Sequence, residues 1–155
     1  MPVIPENVYR QVEKRLRGRQ AAVARAEQAL FRAQQRAYAV SAPAPDKVGG
    51  GRGSEPGSRV EKTALSILKA EEKLEHARKW EEVLRLLDRV FTQDTPEGRA
   101  VDLVYSRGYD KKNAAKIMQC SRETLGRRLD TYVCHAALIA AAAGLIRIRE
   151  DTVNG

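Results

Sequence analysis

The fold is decided by residues 111–128, which read KKNAAKIMQCSRETLGRR. Asp110 and Ser121 are typical N-cap residues, because their side-chain oxygens accept hydrogen bonds from free backbone N–H groups at a helix start. They divide the stretch into a short helix over 111–118, a turn of about three residues and a second helix that begins after Ser121. Ala115 is small enough to let the two helices cross closely. The pattern predicts a helix-turn-helix.

The side chains of this motif fall into two classes. Met118, Cys120 and Leu125 are apolar and are expected to face the core of the motif. The remaining side chains are polar or charged; in a helix-turn-helix they contact phosphates along the first helix and base edges along the second. The residues predicted to bind DNA are Lys111, Lys112, Lys116, Ser121, Arg122, Glu123, Thr124, Arg127 and Arg128.

The charge distribution supports contact with a polyanion. The formal net charge is +8, from 28 Lys and Arg against 20 Asp and Glu. Residues 107–128 hold seven basic and two acidic side chains, and residues 1–40 hold eight and three, whereas residues 59–93 hold eight and seven. An excess confined to two segments indicates phosphate contact. For residues 1–40, a simply solvated helix surface is an equally good interpretation.

Upstream of the motif, the sequence predicts two long helices. Apolar residues recur every seven positions over 6–40, the pattern of a helix that packs along another helix. Residues 41–57 are rich in Pro and Gly and are interpreted as a linker. Ser58 and Glu61 form a capping box that starts a second charged helix over 58–93. The pair could be an antiparallel hairpin or part of a dimeric coiled coil, so self-association through these helices is an open prediction.

The rest of the chain completes an all-α prediction. Thr95 and Pro96 mark a helix start within a domain over 94–146, and Gly108 ends a short apolar helix. The last helix runs to Gly144, with a tail over 147–155. We therefore expect a long helical hairpin or coiled coil, with a basic first segment over 1–40, followed by the helix-turn-helix domain.

Several classes of protein are not indicated. The sequence has no apolar stretch of about 18 residues to cross a membrane and no secretory signal, so a cytoplasmic protein is expected. Cys120 and Cys134 match neither a disulfide framework nor a zinc site. Cys134 and His135 are adjacent on a helix and diverge by about 100°, which does not favour a catalytic pair. We predict no enzyme activity, no metal and no cofactor.

The chain resembles phage late-gene transcriptional regulators of the RinA/ArpU type, whose C-terminal half is similar to region 4 of sigma factors. The resemblance covers 58–143 and is carried by EEKL at 71–74, WEEV at 80–83, GRAVDLVY at 98–105 and SRETL at 121–125. It implies a sigma region 4-like helix-turn-helix, a phage- or prophage-encoded late-gene activator, a nucleoid location in a bacterial host and contact with bacterial RNA polymerase. Gln119 stands at the turn position usually held by Gly.

Two other functions use the same sequence features. A small terminase-like DNA-packaging subunit also combines a helix-turn-helix with long oligomerising helices. The chain could also be a coiled-coil adaptor that binds no DNA, in which case its basic charge would have no role in binding. The expected function is a sequence-specific regulator that binds double-stranded DNA.

Overall fold

The computed structural model describes residues 4–41 and 56–149, with side chains over 4–40 and 59–149. All regular secondary structure in these ranges is helical, which confirms the predicted all-α fold class. The helices are α1 (Glu6–Arg17), α2 (Arg19–Ser41), α3 (Pro56–Val90), α4 (Pro96–Val101), α5 (Lys111–Ile117) and α6 (Arg122–Ala142), and a π-helical turn over Asp102–Ser106 continues α4.

The ends of the predicted segments differ slightly from the structure. Most of the predicted 41–57 linker and the last part of the 147–155 tail lie outside the described residues. Helix α3 begins at Pro56, two residues before the predicted cap Ser58, and ends at Val90, before Gln93.

Residues 6–40 do not form the single helix that the heptad pattern predicts. Helix α1 ends at Arg17, Gly18 has φ −91° and ψ 3°, and α2 begins at Arg19. Glycine is a poor helix former, so a break at this position costs little. Arg19, which interrupts the apolar seam, donates hydrogen bonds to Asp88 at 2.7 Å and to Glu81 at 3.1 Å.

The chain divides into two compact units, and the boundary differs from the predicted domains. The first unit contains residues 4–20 and 79–149, and the second lies within 21–78. Helix α1 and the end of α3 therefore share a unit with the helix-turn-helix, whereas the sequence assigned them to separate segments over 1–40 and 58–93.

The core of the first unit is built around α6. Leu125, Leu129 and Val133 are fully buried along it. Helix α1 contributes Val8 and Val12 to the same cluster, and the described end of α3 contributes Trp80, Val83, Leu84 and Leu87. Burial of side chains of this size provides most of the stabilisation of such a domain. Contacts between α1 and α6 therefore hold the last helix from a side that the sequence did not predict.

Helix α4 has the predicted start and one tight contact. The Oγ1 of Thr95 accepts a hydrogen bond from the N–H of Gly98 at 3.1 Å, with Pro96 at the first helical position. A Cβ atom on Gly98 would overlap the carbonyl oxygen of Thr92 and lie 2.5 Å from that of Phe91. Only glycine fits this contact.

The second unit has a small core. Its buried side chains among the described residues are Ala33, Ala70, Leu74 and Ala77. Helices α2 and α3 pair along this line, where an ion pair joins Arg78 to Glu27 at 3.6 Å. Small side chains let two helix backbones approach closely but bury little apolar area.

Candidate nucleic-acid interface

The corner between α5 and α6 is set by a left-handed residue. Gln119 has φ +54°, the conformation that ends a helix in a Schellman motif. The N–H of Cys120 donates to the carbonyl of Ala115 at 3.0 Å, and the N–H of Gln119 donates to that of Lys116 at 3.1 Å. The chain therefore turns at the predicted position, although glutamine replaces the glycine that such a turn favours.

Both predicted caps hold their helices. The Oδ1 of Asp110 accepts from the N–H of Asn113 at 2.8 Å at the start of α5. At the start of α6, the Oγ of Ser121 accepts from the N–H of Thr124 at 3.1 Å and donates to its hydroxyl at 2.9 Å. Ser121 thereby fixes both the first turn of α6 and the side chain of Thr124.

Packing fixes which side of the corner faces solvent. Ala114 and Ala115 are buried where α5 meets α6, and Leu125 is fully buried. Met118 and Cys120 pack partly buried against the same core, as predicted. The inner side of the motif is therefore filled by its own apolar residues, which leaves the polar side chains outside.

The predicted DNA contacts lie on that outer side. The exposed residues are Lys111, Lys112, Lys116, Ser121, Arg122, Glu123 and Arg127, whereas Thr124 and Arg128 are half-buried. The two arginines at the centre of the prediction therefore reach solvent.

The cations of this surface are unpaired within the described chain. Arg107, just before α5, is bound to Asp102 at 3.0 Å. By contrast, the three lysines of α5 and the three arginines at the start of α6 make no ion pair with any described residue. A cluster of free cations around a corner has the electrostatics that attract a phosphate backbone.

Arg128 and Gly126 are unusual inside a recognition helix, because one is a charged residue at a position next to the core and the other is a poor helix former. Leu129 is fully buried, so it takes the core position next to the half-buried Arg128. A Cβ on Gly126 would meet no atom within 4 Å, so its place inside the helix does not reflect a tight internal contact.

Helix α1 is joined to α6 and to the π-helical turn by one hydrogen bond each, and sequence reasoning missed both. The hydroxyl of Tyr9 donates to Asp130 at 2.7 Å, and that of Tyr105 donates to Glu13 at 2.8 Å. Burial, reinforced by the carboxylate acceptors, raises the pKa of both tyrosines well above the ordinary value. No local pattern indicates these bonds, since Tyr9 and Asp130 are 121 positions apart.

His135 and the two cysteines are the remaining reactive side chains that the sequence singled out. His135 contacts the carbonyl oxygen of Thr131 through Nδ1 at 2.7 Å and lies edge-on to Phe91. Cys134 and Cys120 are free thiols. No group of three metal-ligating side chains occurs among the described residues. Across the same ranges, every helix is too short or too polar to span a membrane.

Comparisons with protein-family models, with curated proteins and with solved structures give no match to this chain.

Proposed function

We propose that this chain is a sequence-specific DNA-binding protein that regulates transcription, with α6 as the recognition helix. The observation that carries the proposal is the corner formed by α5 and α6. Its inner side is closed by the core, and its outer side presents five exposed cations and the half-buried Arg128, none of which a described residue neutralises. A helix start with exposed arginines at a fixed corner suits insertion into a major groove.

The side chains have distinct roles in this proposal. Lys111, Lys112 and Lys116 contact phosphates and set the register of the protein on the duplex. Arg122 and Arg127 reach base edges, where arginine makes bidentate hydrogen bonds to guanine.

The smaller side chains complete the reading surface. Glu123 can accept from the amino group of cytosine, and Thr124 is oriented by its bond to Ser121. Arg128 lies at the edge of this surface and is assigned to a phosphate.

The biological setting follows from the resemblance to RinA/ArpU-type regulators. In that setting the protein activates late genes of a phage or prophage, works at the bacterial nucleoid and contacts RNA polymerase as a sigma-like module. A run-off transcription assay on a selected site, with bacterial polymerase, measures this part of the proposal directly.

The DNA-binding proposal is tested by selection from a random duplex library at two salt concentrations, followed by affinity measurements on the selected site. Arg122→Ala combined with Arg127→Ala should reduce the preference for the selected site over random DNA by tenfold or more, because each bidentate contact contributes about 1–3 kcal/mol of discrimination.

Arg89→Ala combined with Arg99→Ala is the matched control, since both arginines are exposed, neither makes an ion pair with a described residue and the net charge falls equally. An unchanged preference in the Arg122 and Arg127 variant, or an equal loss in the control, would refute the assignment.

A DNA-packaging subunit of the small-terminase kind is the second candidate. It is favoured by exposed apolar side chains on the second unit, where Phe31 is 59% and Leu65 is 55% exposed. A solution mass of eight or more chains would support this candidate, whereas a monomer or dimer with one preferred site supports the regulator.

A further inference from the structure

The cations of α2 in the second unit lie on one stripe. Arg25, Arg32 and Arg36 are all exposed, at spacings of seven and four residues. With about 100° of rotation per residue, they lie roughly 140–180° around α2 from Glu27. Since Glu27 is bound to Arg78 of α3, the three arginines lie on the face of the helix pair opposite that ion pair.

Helix α3 carries a matching stripe. Lys62, Lys69 and Lys73 are exposed and have the same spacings of seven and four residues. They lie roughly 140–180° around α3 from Arg78, so they share the face of the α2 arginines. This basic face consists of Arg25, Arg32, Arg36, Lys62, Lys69 and Lys73.

Folding alone does not account for this arrangement. None of the six side chains makes an ion pair with a described residue. Arg32 with Arg36, and Lys69 with Lys73, are like charges four residues apart, a spacing that destabilises a helix. Among the carboxylates of α3 in this unit, Glu72 lies about 60° from Lys69 without forming an ion pair with it, and the others lie about 80° or more from every lysine of the stripe. An anionic partner would offset the repulsion.

We infer that the basic face binds the phosphate backbone of a DNA duplex without reading its sequence. The identity of this partner rests on the proposed function. Each stripe extends for about 16 Å, the rise of eleven residues, and the two helix axes are separated by about 8–10 Å. Duplex DNA offers one negative charge per roughly 1.7 Å of axis, so both rows can reach phosphates on strands that flank one groove.

The composition of the face favours DNA over an anionic membrane. A helix that lies in a membrane interface places apolar side chains in the lipid beside its cations. In this unit, the exposed apolar residues Phe31 and Leu68 lie about 100° around their helices from the nearest cation of the face, whereas Val40 and Leu65 lie about 40° from theirs. The basic face therefore carries one exposed apolar side chain per helix beside its six cations, which is less than the continuous apolar side that an interfacial helix inserts.

The test compares full-length variants on 40-base-pair duplexes, one with the preferred site and one of random sequence. Arg32→Gln combined with Lys73→Gln removes one cation from each row and keeps good helix formers. The matched control is Gln34→Glu combined with Ala64→Glu, which lowers the net charge equally at exposed positions on the opposite side. Affinity is measured from 50 to 200 mM salt, and circular dichroism checks that helix content is retained.

On both duplexes, the Arg32 and Lys73 variant should lower the slope of log affinity against log salt by about two, because each phosphate contact contributes about 0.9. The preference between the duplexes should not change, and the control should keep the parent slope. An unchanged slope overturns the inference, as does an equal drop in the control. Loss of binding only to phosphatidylserine vesicles would instead assign the face to a membrane.

The same measurements separate this inference from the proposed function. If the Arg122 and Arg127 variant keeps its preference for the selected site while the basic-face variant shows a smaller salt slope, the proposal that α6 reads the sequence is refuted and DNA binding by the basic face is supported. If the Arg122 and Arg127 variant loses its site preference while the basic-face variant keeps the parent salt slope, DNA binding by the basic face is refuted and sequence reading by α6 is supported. A parent protein that binds neither duplex overturns both.

Discussion

The two compact units of this chain bury different kinds of side chain. The first unit buries large residues completely, among them Leu84, Leu129 and Tyr132, whereas the described part of the second buries three alanines and Leu74. A large apolar core fixes the positions of the elements around it, and a line of alanines fixes mainly the distance between two helices. The corner proposed to read bases therefore belongs to the unit with the rigid core.

The strongest test of this difference uses one substitution in both units. Leu129→Ala should lower the free energy of unfolding by about 3 kcal/mol, because it leaves a cavity in a filled core. Leu68→Ala, at a side chain that is 53% exposed, should change it by less than about 0.5 kcal/mol. Urea unfolding measures both values. A comparable loss at Leu68 would mean that this face of α3 is packed in solution.

A second prediction compares two glycines of the first unit, one in a tight contact and one in an open position. Gly98→Ala should cost about 2–3 kcal/mol, since its Cβ would collide with the Thr92 and Phe91 carbonyls. Gly126→Ala should instead stabilise the protein by about 0.5–1 kcal/mol, because the site is open and alanine is the better helix former. Thermal melts of the two variants should move in opposite directions. A tolerated alanine at position 98 would contradict the tight contact.

Loss of the hydrogen bond between α1 and α6 should lower the free energy of unfolding by a smaller amount, and this amount should depend on pH. Tyr9→Phe removes the hydrogen bond to Asp130 and should cost about 1–2 kcal/mol.

Because the pKa of Tyr9 is raised on folding, its contribution to stability is full below about pH 10 and declines as the pH rises above that value. Stability measured at pH 8 and pH 11 should therefore fall more in the parent than in the variant. If the stability of parent and variant fell equally between pH 8 and pH 11, the lower stability of the variant would be due to packing alone.

The smallest expected effect concerns the corner itself. Gln119→Gly should stabilise the first unit by about 0.5–1 kcal/mol, since glycine adopts a positive φ without steric cost. Chemical denaturation is sensitive enough to detect this gain. A destabilised glycine variant would show that the Gln119 side chain makes a favourable contribution of its own.

Local signals predicted much of the first unit. Asp110, Ser121 and Thr95 mark helix starts because a cap is a local hydrogen bond, and each of them caps its helix in the structure. The exposure of Arg127 follows from helix periodicity, since it lies about 160° around α6 from the buried Leu125 and Leu129. Arg122 is exposed because it is the first residue of the helix.

Long-range contacts were missed for a physical reason. The apolar repeat of Val12 and Leu16 continues in phase across Gly18, so the pattern does not reveal that α1 packs against α6. Periodicity states which face is buried but not which partner buries it. The basic face was missed because charges were summed along the chain; the near-neutral total over 59–93 hides an uneven distribution around the helix.

The position of α1 has a consequence during protein synthesis. Val8 and Val12 leave the ribosome early, yet the Leu129 and Val133 side chains that share their core are translated more than a hundred residues later. Until α6 emerges, the apolar side of α1 that packs against α6 stays uncovered, so the core of the first unit cannot close before the last helix is made. A truncated gene product that starts at residue 94 would lack α1 and the end of α3, which both contribute apolar side chains to this core.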